Sequence, residues 1–254
     1  MPVKTEIRGN AYWITIDAPK RKNAINIQMY EEMNAAMDAA DEDENTFITV
    51  ITGEGEYYSS GNDFSPAEME TLVLTVTNKD YESGYSKWMR RLIEHSKVLV
   101  ALVNGPCIGI ACTTLGLFDY VVCSDSAYFL TPFPEIGVCP EGASTKTFYG
   151  IMGTSRANEM LLVGQPMSAQ KALECGFVAH VFPKAQFKQK TEEMVDKLCK
   201  LPRHSTIASK EICRGEAWKK EMKSVHDREY AMLRKLFAHD DTVALIMKKF
   251  VPKM

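Results

Sequence analysis

Two loops of this chain combine residue types that can do chemistry. The first is Tyr58-Ser59-Ser60-Gly61-Asn62-Asp63-Phe64. Ser, Gly, Asn and Asp all favour turns, so the segment reads first as a tight reversal of the chain. The second is Asn104-Gly105-Pro106-Cys107-Ile108-Gly109-Ile110-Ala111-Cys112. One reading of it is a strand-to-helix turn whose small residues permit close packing. The other is a helix start, where free backbone N–H groups point outward and can hold an anion or a developing oxyanion. A third loop, broken by Pro132, Pro134 and Pro140, carries two carboxylates, Glu135 and Glu141.

Other chemistries lack their residues. H-E-x-x-H, the P-loop pattern and G-x-S-x-G are all absent. Gly53-Glu54-Gly55 opens like a dinucleotide loop, but Tyr58 stands where the third glycine belongs and Glu54 would repel phosphate. Ser168 lies three residues before Lys171, yet a serine ahead of a helical stretch is more simply an N-cap. The five histidines are scattered without ligand spacing, so no metal site is expected. Thirty basic against 33 acidic residues give a net charge of −3, which offers no general attraction to nucleic acid. Seven cysteines, odd in number and without a C-x-x-C pair, fit a reducing compartment. The longest aliphatic run, Val98–Val103, is far short of the ~20 residues that span a bilayer, so no membrane partner is expected.

The elements that must position these loops follow from periodicity. Tyr12–Ile16, Phe47–Thr52, Val98–Val103, Tyr120–Cys123 and Tyr128–Leu130 read as strands. Asn26 caps a helix whose Ile27, Tyr30, Met33 and Met37 share one apolar face. Ile108–Leu117 suits a helix packed in the interior. From Ser155 onward helices dominate: Arg156–Val163, Ala169–Cys175 ended by Gly176, Phe187–Leu201, an interrupted Ser205–Phe237, and Thr242–Phe250. With 45% apolar and 25% charged residues and no linker, the 254-residue chain reads as one structural domain. Residues 1–200 form its α/β core and residues 201–254 a helical extension, serving oligomerisation or covering the active site.

Taken in order, several segments resemble the crotonase (enoyl-CoA hydratase/isomerase) superfamily: Pro19–Asn26, Ser59–Phe64, Val103–Pro106, Gly116–Asp119, Thr131–Phe133 and Gly137–Gly142. The resemblance implies an α/β fold spiralling through ββα units, with a helical C-terminal region. It implies an acyl-CoA substrate, with no separate cofactor, and a homotrimer or a pair of trimers. The family's thioester-binding N–H groups map to Asn62 and Ile110. Substrate and CoA contacts map to Lys22, Ala24, Ser60, Gly61, Asp63 and Phe64, where basic Lys22 suits a phosphate. Asp63 also reads as an Asx turn, and Asp119 as structural.

The acid–base residues separate the branches of that family. At the two places where hydratases carry glutamates, this chain has Thr113 and Phe133. Glu141, in Pro140-Glu141-Gly142, matches the single glutamate of the Δ3,Δ2-enoyl-CoA isomerases, closest to their peroxisomal-type branch. Glu135 has no role in that correspondence and reads as a solvated side chain. The implied activity is migration of a 3-enoyl-CoA double bond to the 2-trans position during β-oxidation of unsaturated fatty acids. The alternatives are a hydratase and a non-catalytic acyl-CoA-binding module. The ending Pro252-Lys253-Met254 loosely resembles a peroxisomal address, with the mitochondrial matrix as the other expected location.

Overall fold

β-Branched and aliphatic runs pair into the sheet on which the loops are mounted. In the computed structural model, which describes residues 1–78 and 82–250, β1 (Val3–Arg8) and β2 (Ala11–Ile16) form an antiparallel hairpin. Strands β3 (Ile48–Gly53) and β4 (Val98–Val103) then continue the sheet in parallel. The short β5 (Cys107–Ile108) leaves this sheet. Two further parallel strands, β6 (Tyr120–Ser124) and a later one at His180–Phe182, complete it. A second, three-stranded sheet joins β5 to β7 (Tyr128–Leu130) and β8 (Met167–Ser168), and the strand at His180–Phe182 is therefore β9.

Parallel strands buried on both faces read as continuous apolar runs. Consistent with that, β4 is buried from Leu99 to Val103. On one face Ile14, Ile51, Ala101 and Val103 pack with Met29, Met33 and Met37 of α1 (Ile27–Glu42). On the other, Trp13, Val50, Val100 and Leu102 meet Phe187 and Val195 of a helix at Phe187–Leu198. The two layers of helix around a mostly parallel sheet give the α/β class. Asn26 caps α1, its side chain accepting from the Met29 N–H at 2.9 Å, and Ser168 caps a later helix through the Lys171 N–H at 3.3 Å.

The remaining helices are α2 (Pro66–Thr77), α3 (Gly84–Glu94), α4 (Ile110–Thr113), α5 (Ser144–Leu161), α6 (Ala169–Glu174), α7 (Phe187–Leu198), α8 (Arg203–Cys213), α9 (Glu216–Phe237) and α10 (Asp240–Phe250). α9 packs across α2, α3 and α5, and α10 packs on the turn at Pro134–Ile136. Asp119 ties α8 to the sheet: it accepts from the Leu99 N–H at 2.8 Å and pairs with Lys210 at 2.9 Å and Arg214 at 3.4 Å.

Several elements differ from the sequence expectation. Ile108–Leu117 is not one helix: Ile108 ends β5, α4 is a single turn, and a 3-10 turn covers Thr114–Leu117. Gly109, at φ +60° and ψ −129°, breaks strand from helix there. The helix expected from Arg156 begins at Ser144, with Gly153 at φ +74° kinking it. Strand β1 and helices α2 and α3 were not anticipated. Pro252-Lys253-Met254 lies outside the described residues. Among the described residues no helix is long and apolar enough to cross a membrane, and no cluster of His, Cys, Asp or Glu side chains is placed to hold a metal.

Candidate active site

The site grows from two glycines pressed back to back. Gly61 sits at φ +85° and Gly109 at φ +60°, conformations glycine tolerates and other residues resist. A side chain on Gly61 would come within 2.8 Å of the Ile108 carbonyl oxygen and 3.5 Å of the Gly109 Cα. Only bare backbone fits. The chain on either side is locked by main-chain bonds: Ile25 N–H to Gly61 O at 2.8 Å, Asp63 N–H to Ile25 O at 2.9 Å, Ile108 N–H to Ser59 O at 3.0 Å, and Gly109 N–H to Leu130 O at 2.8 Å.

The residues that follow the two glycines are Asn62 and Ile110, and both line a cavity of about 560 Å³. Among the described residues no chain atom accepts either N–H. Both N–H groups are thus uncommitted donors on residues that line one cavity, and donors of this kind can hold a negatively charged oxygen. Asn62 is held from behind as well, since the Tyr30 hydroxyl donates to its Oδ1 at 2.6 Å.

Glu141 lines the same cavity and is only 7% exposed. Burial, and secondarily the nearby Glu229 carboxylate, push its carboxyl up to about 8; a hydrogen bond with Tyr85 works the other way. The cavity around it is apolar, with Phe133, Ile136, Val138, Leu233 and Phe237 in its wall. Such a carboxylate is a far stronger base than one in water.

The other residues anticipated from sequence, Lys22, Ala24, Ser60, Gly61, Asp63 and Phe64, line this cavity too. The Asp63 side chain is engaged by its own chain: it accepts from the Ser65 N–H at 2.9 Å and pairs with Arg21. It is an Asx turn that braces the loop. Lys20, Arg21, Lys22 and Lys249 bring cations to the rim. Lys22 and Asn23 are both left-handed, at φ +55° and +54°. That turn is pinned by Asn23, fully buried, whose amide donates to the carbonyls of Glu54 at 2.9 Å and Tyr57 at 2.7 Å while its oxygen accepts from the Ala18 N–H at 2.8 Å.

The two positions where a hydratase would place carboxylates hold other groups. Thr113 is buried, and its hydroxyl donates to the Ile110 carbonyl at 3.2 Å. It also abuts Gly142, where a Cβ would lie 2.3 Å from the Thr113 Oγ1. Phe133 lines the cavity as an apolar wall. Glu135 does not line it. That side chain is exposed, but it is not simply solvated, because it pairs with Lys249 near the end of α10. The same helix places Phe250 against Phe64, ring centroids 5.1 Å apart, and Thr242 on the Gly137 carbonyl at 3.1 Å. So the end of α10, at Lys249 and Phe250, lines the cavity of its own chain.

Sequence reasoning passed over Tyr30, Tyr85 and Glu229. Tyr85 stands behind Glu141, its hydroxyl accepting from the Gly142 N–H at 3.3 Å. Glu229, on α9, reaches the turn after Glu141 and accepts from the N–H groups of Ala143 at 2.7 Å and Thr145 at 3.0 Å. A tyrosine on a helix face and a glutamate in a charged helix carry no local signal of such contacts.

Comparison with known proteins agrees with this geometry. Residues 6–253 match the family described as enoyl-CoA hydratase/isomerase. An uncharacterised Caenorhabditis elegans protein is 36% identical, covering 98% of this chain and 96% of its own. Human enoyl-CoA delta isomerase 2 is 40% identical over 84% of this chain, and mouse enoyl-CoA delta isomerase 3, peroxisomal, is 40% identical over 86%. This chain spans 53% and 68% of the lengths of those two relatives. An enoyl-CoA hydratase/isomerase structure from Pseudoalteromonas atlantica superposes over the full length of both chains with a TM-score of 0.88 at 25% identity. Fold, cavity and relatives together establish that the chain is a member of the crotonase superfamily, the enoyl-CoA hydratases and isomerases, and stands close to the Δ3,Δ2-enoyl-CoA isomerases.

Proposed function

We propose that this protein is a Δ3,Δ2-enoyl-CoA isomerase that moves the double bond of a 3-enoyl-CoA to the 2-trans position with Glu141 as its one proton carrier. The observation that carries the reading is the identity of the groups at the apolar end of the cavity. Glu141 is there with Phe133 in the wall, while Thr113 lies behind the lining against Gly142, and neither can activate water. Asp63, the other carboxylate of the cavity wall, is neutralised by Arg21.

In this scheme Glu141 takes the proton from C2, and the C–H electron pair moves into the C1–C2 bond as the carbonyl pair shifts onto the thioester oxygen, giving a dienolate conjugated with the C3–C4 alkene. The N–H groups of Asn62 and Ile110 hold that dienolate oxygen; losing one such donor in other enzymes costs about 3–4 kcal/mol. Glu141 then returns its proton to C4, and the double bond is left between C2 and C3. No water is consumed. Lys20 and Lys22 at the cavity rim receive the CoA phosphates, Arg21 and Lys249 being engaged by Asp63 and Glu135.

The test is a paired assay on one preparation: isomerisation of a 3-enoyl-CoA against hydration of a 2-enoyl-CoA. Isomerisation dominant by orders of magnitude supports the reading. Comparable hydration overturns it in favour of a hydratase, and binding without conversion in favour of a non-catalytic module. We also propose a homotrimer, supported by family membership, which sedimentation of a stable monomer would contradict. The proposed location is the peroxisome, supported by the relative named for it. A tagged protein that localises to the mitochondrial matrix would overturn it.

A further inference from the structure

Glu229 lies on α9, outside the cavity wall, and no part of the reaction above uses it. It is 5% exposed and among the described residues has no ion-pair partner, a rare position for a carboxylate. Three donors meet it: the N–H groups of Ala143 and Thr145 and the Thr145 hydroxyl, the last at 2.6 Å. Those donors are the start of α5. The residue at the cap position, Ala143, is left-handed at φ +59° and has no side chain able to cap. Glu229 therefore caps α5 from a helix 86 residues further along the chain.

Burial raises both neighbouring carboxyls, Glu229 as well as Glu141, and the donors decide which of the two keeps the negative charge. Groups that donate to a carboxylate favour its ionised form, as does the positive end of a helix. Glu229 has three donors at a helix start; Glu141, two residues before Ala143, has the Tyr85 hydroxyl. The other groups around the pair are Tyr30 from α1, Tyr85 from α3, Cys139 from the preceding loop and Arg228 beside Glu229 on α9. His226 stacks edge-on to Tyr85 at 5.5 Å and is neutral above about pH 4. The tyrosines and Cys139 are all raised by burial and stay neutral over the working range.

We infer that Glu229 is a positioning residue for the reaction: it clamps the turn that holds Glu141 and supplies a fixed negative charge that makes Glu141 a stronger base. The inference rests on Glu141 being the proton carrier. Its physical core, one carboxylate setting the proton affinity of another, can be read without any turnover.

The experiment is a side-chain carboxyl NMR titration of the full chain with 13C-labelled glutamate, the Glu141 and Glu229 signals being assigned by their loss in Glu141→Gln and Glu229→Gln. In the wild type, Glu229 should titrate below Glu141; the reverse order overturns the inference with no variant required to be active. In Glu229→Gln, which keeps one acceptor for α5, the Glu141 midpoint should fall by about one pH unit or more. The acid limb of the kcat/KM profile for 3-enoyl-CoA should move the same way. Glu229→Asp, which keeps the charge, should leave the Glu141 midpoint near its wild-type value even if kcat drops. An unmoved Glu141 midpoint in Glu229→Gln overturns the inference. An enzyme without isomerase activity but with the expected midpoints would refute the assigned reaction and leave the coupling standing.

Discussion

Replacing Gly61 by alanine tests whether the site depends on bare backbone. At φ +85° an L-residue is strained by roughly 1–2 kcal/mol. In addition, the new methyl would lie 2.8 Å from the Ile108 carbonyl oxygen, a main-chain atom held by the bond from Ile108 N–H to Ser59. Relieving that overlap costs about 1–3 kcal/mol more and must push the two loops apart. Gly176 provides the control. Its φ is +77°, yet nothing lies within 4 Å of a Cβ there. Gly176→Ala should therefore lose only the strain, roughly 1–2 kcal/mol in urea unfolding, with unchanged turnover. Gly61→Ala should lose roughly 2–5 kcal/mol, the sum of both costs. Its kcat should fall about 10²–10³-fold, because the Asn62 N–H no longer meets the dienolate oxygen. A Gly61→Ala enzyme that turns over within threefold of wild type, about 0.7 kcal/mol in barrier, would refute the claim that these donors are set by the glycine pair.

Four further outcomes follow from the structure. Asn23→Ala leaves the Ala18 N–H and the carbonyls of Glu54 and Tyr57 without their partner, and should cost about 1–3 kcal/mol and lower Tm. Because Glu141 is raised to about 8 in the folded protein from 4.5, its stability contribution is full at low pH and is lost as pH rises toward 8. Glu141→Gln should then stabilise the fold by a few kcal/mol more at pH 8 than at pH 5, as measured by denaturant unfolding. His95 and His226 act in the opposite direction: burial lowers them to about 3 and about 4, so stability falls as pH drops below 6.5. Glu135→Gln breaks an exposed ion pair with Lys249 and should change stability by less than about 1 kcal/mol and kcat hardly at all.

What could be read from the sequence was what local chemistry determines. Asn26 and Ser168 cap their own helices through bonds spanning three residues, so their signals lie next to the elements they start. The strands β2, β3 and β4 announce themselves by aliphatic runs. By contrast β1 buries Val3 alone of its six residues and shows no alternation. Helix α3 carries a readable pattern, with Tyr85, Trp88, Met89, Leu92 and Ile93 on one face. The start of helix α5 carries no local signal, because its cap comes from Glu229, a contact no local window contains. The site followed the same division. Motif order pointed to Glu141, Asn62 and Ile110, whereas Tyr30, Tyr85 and Glu229, which hold them, became visible only once α1, α3 and α9 were in place.

The most direct measurement is the turnover of 3-enoyl-CoA by Glu141→Gln, which keeps the shape of the side chain and removes the base. With circular dichroism and acyl-CoA affinity unchanged, kcat should drop by about 10²–10⁴-fold, the usual worth of a general base or more. Turnover that survives the substitution within a few-fold would mean that some other group carries the proton.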